Sequence, residues 1–467
     1  MRPPCALSPS RIITLTSVLA SLALCACNLD NLGDPPPDAD LYLPTGLLLS
    51  QQSTDSAPRF LYVVNSNFDL RYNRGSVQAY DLEALNVAVD ACSRPGIGCE
   101  IPSVPLLVDE VLIPSLATSF SVSPDRKRLY VATRTDASMT FIDLDESAQG
   151  EAVLDCAESE RRCSDARNRG ADPNDNPRGL TFPSEPVGMW SLHARDAAAG
   201  LDPDQTPGDF VMVAHRGGQV SLFHDPGAGG PRLVHVLEGL PLEPTGLTFE
   251  PASRLFYLSL YARNSVITGQ TRLLARVGLT VEAGQGGGLA PSFAYDAGSI
   301  VVDGVAAQRD TRAIAVNPVR SGELLVAGRD PASLLFVDTQ LSAATQDSAA
   351  LTNFPARDIV PVGSGPTRMA LGKLGERDLV AVSCFDGHQL YLVDAASREV
   401  VAVVHNLNGP FELAIDGVRK RLYIADFRSS SVQIIDLSAV AADGTGPRTD
   451  APILATLGIP KVVQELQ

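Results

Sequence analysis

The sequence predicts an all-β chain, built as a single β-propeller of seven four-stranded blades with loop insertions. Three observations predict it. A two-strand unit recurs, and its clearest copy is Arg421 to Ala425 and Val432 to Leu437 around a polar turn. Aligning the centre of the first strand in that pair gives seven positions, Tyr62, Tyr130, Met212, Tyr257, Leu325, Ala381 and Tyr423. The shortest spacings, 42 and 45 residues, match a bare blade of ~40–50 residues, and the longer ones hold inserts. The strands also alternate and are rich in β-branched residues, without a helical period. Such strands bury both faces only when neighbouring sheets cover one another, and radial closure leaves short edges.

The units run in order from Leu41. Unit one has Thr45 to Leu49, Phe60 to Asn65 and Ser76 to Leu82, and unit two has Thr118 to Val122, Arg128 to Thr133 and Met139 to Leu144. Unit three is Val187 to Leu192, Phe210 to His215, Gln219 to His224 and Leu233 to Leu237. Unit four shows Thr245 to Phe249 and Leu255 to Ser259, with a third strand between Ser265 and Val277. Unit five has Ala313 to Asn317, Glu323 to Gly328 and Ser333 to Asp338. Unit six has Arg368 to Leu371, Asp378 to Ser383, Gln389 to Asp394 and Glu399 to Val404, and unit seven has Glu412 to Ile415, the opening pair and Ile453 to Leu457. Stretches 83–105, 145–178, 194–208, 278–297 and 340–357 carry the Gly, Pro and Asp of exposed loops.

Gly409-Pro410-Phe411-Glu412-Leu413-Ala414-Ile415, followed by Arg421-Leu422-Tyr423-Ile424-Ala425, resembles a blade of the YVTN/NHL-like, lactonase-type β-propellers, as does Arg128-Leu129-Tyr130-Val131-Ala132-Thr133. The resemblance covers about Leu41 to Gly458. It implies that loops joining second to third strands share a face with loops leading from blade to blade. Asn65, Arg134, His215, Arg329, Asp386 and Arg428 belong to the first set, and Glu185, Glu243, Arg312, Arg368 and Glu412 to the second. A ring of mixed charge around a central funnel orients a polar ligand or peptide, although loop ends also carry charge simply to stay solvated.

Other features bound the function. The chain has 467 residues, 45% hydrophobic and 19% charged, enough for a large core. Its net charge of −17 excludes nucleic acid as a partner, because a phosphate backbone needs a basic surface. Arg2 and Arg11 precede an apolar run from Ile12 to Ala26, which reads as a signal peptide over 1–26. Leu24-Cys25-Ala26-Cys27 resembles a bacterial lipobox, making Cys27 the lipidated residue, and Asn28 after it implies outer-membrane sorting in a Gram-negative envelope. Residues 27–40 then form a proline-rich tether, 41–460 the propeller and 461–467 a tail.

Cys92 and Cys99 are seven residues apart, as are Cys156 and Cys163, and each pair is expected as a disulfide. Neither has a metal-site spacing or a nearby histidine. His215 and His224 flank a turn at a separation matching no ligand signature. The Asp residues closing third strands, Asp81, Asp143, Asp338, Asp394 and Asp436, recur as turn residues rather than as bases. Gly284-Gln285-Gly286-Gly287-Gly288 lacks the lysine of a phosphate-binding loop. No metal, cofactor or catalytic residue is expected. The preferred function is a lipid-anchored binding module for a protein, peptide or polysaccharide. The alternative is a lactonase-like hydrolase, lyase or cofactor-dependent oxidoreductase acting in the funnel.

Overall fold

The structure, a computed structural model, describes residues 33–50, 57–92, 99–146, 153–156, 161–176, 178–197, 208–240, 243–261, 272–283, 289–295, 300–303, 308, 310–340, 352–440 and 449–460. The signal segment, Cys27, residues 28–32 of the tether and the tail, 461–467, lie outside them. Seven blades form a β-propeller. Blade one comprises Pro44–Leu49, Phe60–Asn65, Gly75–Asp81 and Leu107–Ile113 as antiparallel neighbours. Blade three repeats this with Pro186–His193, Asp209–His215, Gln219–Asp225 and Arg232–Leu237. The first strands of the blades touch one another in cyclic order, and Pro410–Asp416 of blade seven returns to Pro44–Leu49 of blade one. The ring is therefore closed.

Burial explains the repeat. Tyr62, Tyr130, Met212, Tyr257, Leu325, Ala381 and Tyr423 are all buried, because each points from the second strand into the seam between adjacent blades. The clusters that fill these seams join residues of neighbouring blades, such as Leu129 and Val131 with Val77 and Val111. Burying one such side chain stabilises the fold by about 1.5–3 kcal/mol, so seven filled seams outweigh any local preference.

The third-strand aspartates act as the repeat implies. Asp394 accepts from the backbone N–H of Ala396 and Ser397, and Asp436 from that of Ser438. Asp394 and Asp436 also each receive an arginine from the start of the second strand, Arg377 and Arg421 respectively.

The described parts of several inserts form regular structure rather than loops. Asp81 caps the helix Leu82–Asp90 by accepting from Glu83 and Ala84 N–H, and Leu82, Leu85 and Val89 are buried. The disulfide Cys92–Cys99 follows, and then Glu100–Ile101 pairs in parallel with Ile453–Leu457, the outer strand of blade seven. A segment of blade one thus latches onto blade seven, where Val89, Ile101, Val432 and Leu457 share one core cluster. Elsewhere, Asn168–Arg169 supplies the outer strand of blade two, and Thr352–Pro361 that of blade five. Ile300–Asp303 of blade four pairs in parallel with Thr352–Pro361, fusing two blades into one sheet.

Cys156–Cys163 is also a disulfide. Two such bonds mark an oxidising, non-cytoplasmic compartment. Cys384 is a buried free thiol, pushed by burial up to about 12 and so inert. No helix among the described residues is long and apolar enough to cross a membrane.

Candidate functional site: a seven-fold ring at the funnel mouth

Every blade breaks register at the same point of its first strand, between Pro44 and Gly46, Ala117 and Ser119, Pro186 and Gly188, Pro244 and Gly246, Thr311 and Ala313, Pro366 and Arg368, and Pro410 and Leu413. A bulge leaves one residue out of the ladder and re-aims its side chain. The residues skipped are Thr45, Thr118, Val187, Thr245, Arg312, Thr367 and, with Glu412, Phe411. All of these except Glu412, one from each blade, line a single cavity of about 380 Å³.

The threonines explain how the ring holds together. Thr45 Oγ1 donates to the Ala117 carbonyl of the next blade at 3.0 Å, Thr118 Oγ1 to Pro186 O at 2.8 Å, and Thr245 Oγ1 to Thr311 O. Close approach matters here too, since a Cβ on Gly188 would stand 3.0 Å from the backbone nitrogen of Leu247 in the next blade. Blade three replaces the threonine with the similarly shaped Val187, and blades five and seven break the pattern further with Arg312 and Phe411. These exceptions mark where the ring becomes chemically distinctive.

The cavity is polarised. Blades two, three and five contribute Arg134, Arg216, Arg312 and Arg329, while blades six, seven and one contribute Phe385, Phe411, Phe427 and Phe68. The rings pack edge-on or tilted, with Phe411 and Phe427 centroids 5.9 Å apart, Phe385 and Phe427 6.1 Å apart and Phe68 and Phe427 5.9 Å apart. Arg368 stands at the divide, its guanidinium 4.7 Å from the centroid of Phe411.

Carboxylates position the arginines without consuming them. Arg329 donates to Asp386 at 2.5 Å, Arg312 to Asp310 at 2.7 Å and Arg134 to Glu185. A guanidinium has five N–H donors, and Nε of Arg134 and of Arg312 is buried without a protein acceptor. Arg368 Nε reaches Glu412 only at 3.7 Å, while its Nη2 donates to the Thr118 carbonyl at 3.3 Å. Burial pushes the Glu412 carboxyl up to about 7, against the opposing pull of Arg368. Near neutrality Glu412 is therefore only partly ionised and Arg368 keeps a surplus of positive charge. Among the lining residues five arginines face one carboxylate, Glu185, in a chain whose net charge is −17. The funnel mouth is therefore cationic on one side and aromatic on the other.

Of the residues expected at this face, Arg134, Glu185, Arg312, Arg329 and Arg368 line the cavity. Asp386 and Glu412 sit behind it as partners of Arg329 and Arg368, and the Arg428 guanidinium stands 4.8 Å from the Phe385 centroid. Glu243 is half-buried at the start of its strand and outside the lining. Asn65 is fully buried, bonded to Tyr42 N, Ser76 and Gln78.

His215 is fully buried as well and lies outside the lining. Its Nδ1–H donates to the Ser184 carbonyl at 3.2 Å, so Nε2 accepts from Ser221 Oγ at 2.8 Å, and its ring packs edge-on against Phe182 at 4.6 Å. Burial holds it neutral, pushed down to about 4. Below pH 6.5 the unfolded chain binds a proton at this histidine that the folded chain does not, so its stabilising contribution is full above 6.5 and falls as pH drops toward 4. The expected loss across that window is about 3 kcal/mol. Urea unfolding between pH 4 and 7 should show a flatter pH dependence in His215→Asn than in the parent, and equal slopes contradict this.

The turn Asp426-Phe427-Arg428 stands out in the sequence as a variable turn where binding is expected, but nothing there singles out Phe68, Phe385, Phe411, Arg216 or the ring threonines. The available signal was the Pro-Thr-Gly triplet at 44–46 and again at 244–246, with Pro-Val-Gly at 186–188. Among the described residues no group of three or more His, Cys, Asp or Glu side chains is placed to hold a metal ion.

Fold and site together define a seven-bladed β-propeller with a funnel lined by arginine and phenylalanine. No family model matches the chain, and no curated protein matches it. Among solved structures it is similar to a chain of Kuenenia stuttgartiensis hydrazine synthase, at 14% identity and a TM-score of 0.51, covering 87% of this chain and 98% of that one. It is also similar to the β-propeller domain of Cps50 (Swd1) from Myceliophteria thermophila, at 13% identity and TM-score 0.46, covering 84% and 96%. A third is a protein described as a putative 6-phosphogluconolactonase from Bacteroides uniformis, at 12% identity and TM-score 0.42, covering 75% and 85%. At such identities the likeness concerns the fold alone.

Proposed function

We propose that this chain is a lipid-anchored cell-envelope propeller of the YVTN/NHL-like kind, acylated at Cys27 and sorted to the outer membrane. Its funnel mouth is a binding surface for a protein, peptide or polysaccharide partner. One observation carries the binding reading: the bulge residues of all seven blades converge on one cavity that is cationic on one side and aromatic on the other. The partner presents an acidic group beside an apolar one, and nucleic acid does not bind. Arrays of acidic peptides and glycans probed with the purified protein are expected to yield ligands bound about ten-fold more weakly by Arg329→Gln combined with Phe427→Ala. Ligands bound equally by that variant would sink the reading.

Glu412 favours a second reading, a lactonase-like hydrolase, lyase or cofactor-dependent oxidoreductase. A carboxyl held near 7 beside an arginine is poised for proton transfer. Lactone turnover that disappears in Glu412→Gln would establish this reading over the first.

A further inference from the structure

The loop joining the second and third strands of blade one does two things at once. It carries Phe68, which lines the funnel, and it receives the chain arriving from the N-terminus. Asn73 Nδ2 donates to the Gly33 carbonyl at 3.1 Å, and Asn73 N–H donates to the Asp34 carbonyl at 3.0 Å. The chain then runs over blade one, where Ser103 Oγ donates to Ala39 O at 2.7 Å, and reaches the funnel face of blade seven, where Leu43 N–H donates to Ser430 Oγ at 3.1 Å. The segment after Gly33 is thus fixed to the propeller rather than loose. Six peptide units separate Gly33 from Cys27, and at full extension they span roughly 20 Å.

The same loop exposes apolar surface. Phe68 is 48% exposed and Leu70 56% exposed, with the Arg71 side chain 53% exposed beside them. The loop is rigid: Asn67 Nδ2 donates to Tyr72 O and to Ser115 Oγ, and Asn67 Oδ1 accepts from Tyr72 N–H. Large apolar side chains projected with an arginine alongside suit a lipid headgroup region, where the rings enter the acyl boundary and the guanidinium stays at the headgroups.

We infer that the funnel mouth faces the membrane, with Phe68 and Leu70 of this loop seated in the lipid surface. The inference rests on the acylation of Cys27 proposed above. A tether of roughly 20 Å is shorter than the width of a propeller, so a lipid at Cys27 holds near the bilayer the face from which the chain emerges. The opposite face, where Val418 is 50% exposed in the turn between the first two strands of blade seven, is directed away. A partner then reaches the funnel along the membrane surface rather than from bulk solvent.

The test uses the full-length acylated protein in phosphatidylglycerol vesicles that contain brominated lipid, with tryptophan introduced at Phe68→Trp, Leu70→Trp or Val418→Trp and read against the single native Trp190. Emission from the first two is expected to fall at least two-fold with brominated lipid, and emission from Val418→Trp to stay unchanged. Leu70→Trp guards against disturbance of the ring packing at Phe68. Acyl labelling is scored on the same samples. Label at Cys27 with quenching equal at all three positions, or confined to Val418→Trp, overturns the orientation alone. Absence of label at Cys27 overturns the anchor and the orientation drawn from it.

Discussion

Asp225→Ala is expected to destabilise the protein by about 2–3 kcal/mol, because it takes from Arg128 one of its two carboxylate partners, leaving Asp143 at 2.5 Å, and strips the buried Tyr130 hydroxyl of its acceptor. Asp225 closes the third strand of blade three and is 2% exposed. Its Oδ2 accepts from Arg128 Nη1 at 2.6 Å and from the Tyr130 hydroxyl at 2.7 Å, both on the second strand of blade two, and its Oδ1 accepts from Gly227 N–H at 2.9 Å. The carboxylate therefore ties two blades together in a seam where Arg128 also stacks on Phe141 at 4.9 Å. Asp225→Asn, which keeps an acceptor, should lose less. Asp436→Ala sets the scale from the other side, since its partner Arg421 is 16% exposed and Asp436 itself 21%. An ion pair with that much water access contributes about 1 kcal/mol or less. Denaturant unfolding of the three variants checks the order, and an Asp225→Ala loss no larger than that of Asp436→Ala contradicts it.

Cys92→Ser with Cys99→Ser is expected to cost about 2–3 kcal/mol from loop entropy, and its effect should appear first at the ring closure. The bond separates the helix Leu82–Asp90 from Glu100–Ile101, whose backbone receives Thr456 N–H at Cys99 O and Gly458 N–H at Ile101 O. Without it the latch strand is tethered only by a longer, freer loop. Amide exchange in Ile453–Leu457 should accelerate while the first strands of blades three and four remain protected. The other disulfide, Cys156–Cys163, closes a loop of the same length and pairs with blade one through Cys163 N–H and Leu112 O at 3.0 Å. Its removal should cost similar loop entropy without accelerating exchange in blade seven. Equal acceleration there from both double variants would show that the latch does not close the ring.

The strands most legible in the sequence were those where alternation and burial agree. Phe60–Asn65 and Ile453–Leu457 fall at their expected bounds because their side chains meet a neighbouring blade or the closing latch. Outer strands were harder to see. Asn168–Arg169 is two residues long and draws its place from pairing with Thr140 and Met139, which no local pattern records. The helix Leu82–Asp90 has its apolar residues at helical spacing, yet its cap is Asp81, an aspartate that elsewhere in the chain closes a strand. At the funnel, charged residues were legible from their position in the unit, and five of them reach the cavity. Phe68, Phe385 and Phe411 carried no such signal, because only the closed ring and the bulge at Phe411 turn them toward one opening. Asn65 and His215 show the converse: polar residues at the ends of second strands lie deep enough to be consumed by internal hydrogen bonds.

The claim that the funnel mouth is the binding face is tested most directly by measuring one array-selected ligand against the two faces of the propeller. The parent, a funnel variant carrying Arg329→Gln and Phe427→Ala, and an opposite-face variant carrying Lys127→Ala and Val418→Ala would be titrated by calorimetry. The predicted result is affinity about ten-fold weaker in the funnel variant and unchanged in the opposite-face variant. Unchanged affinity in the funnel variant, with loss in the opposite-face variant, would contradict the account.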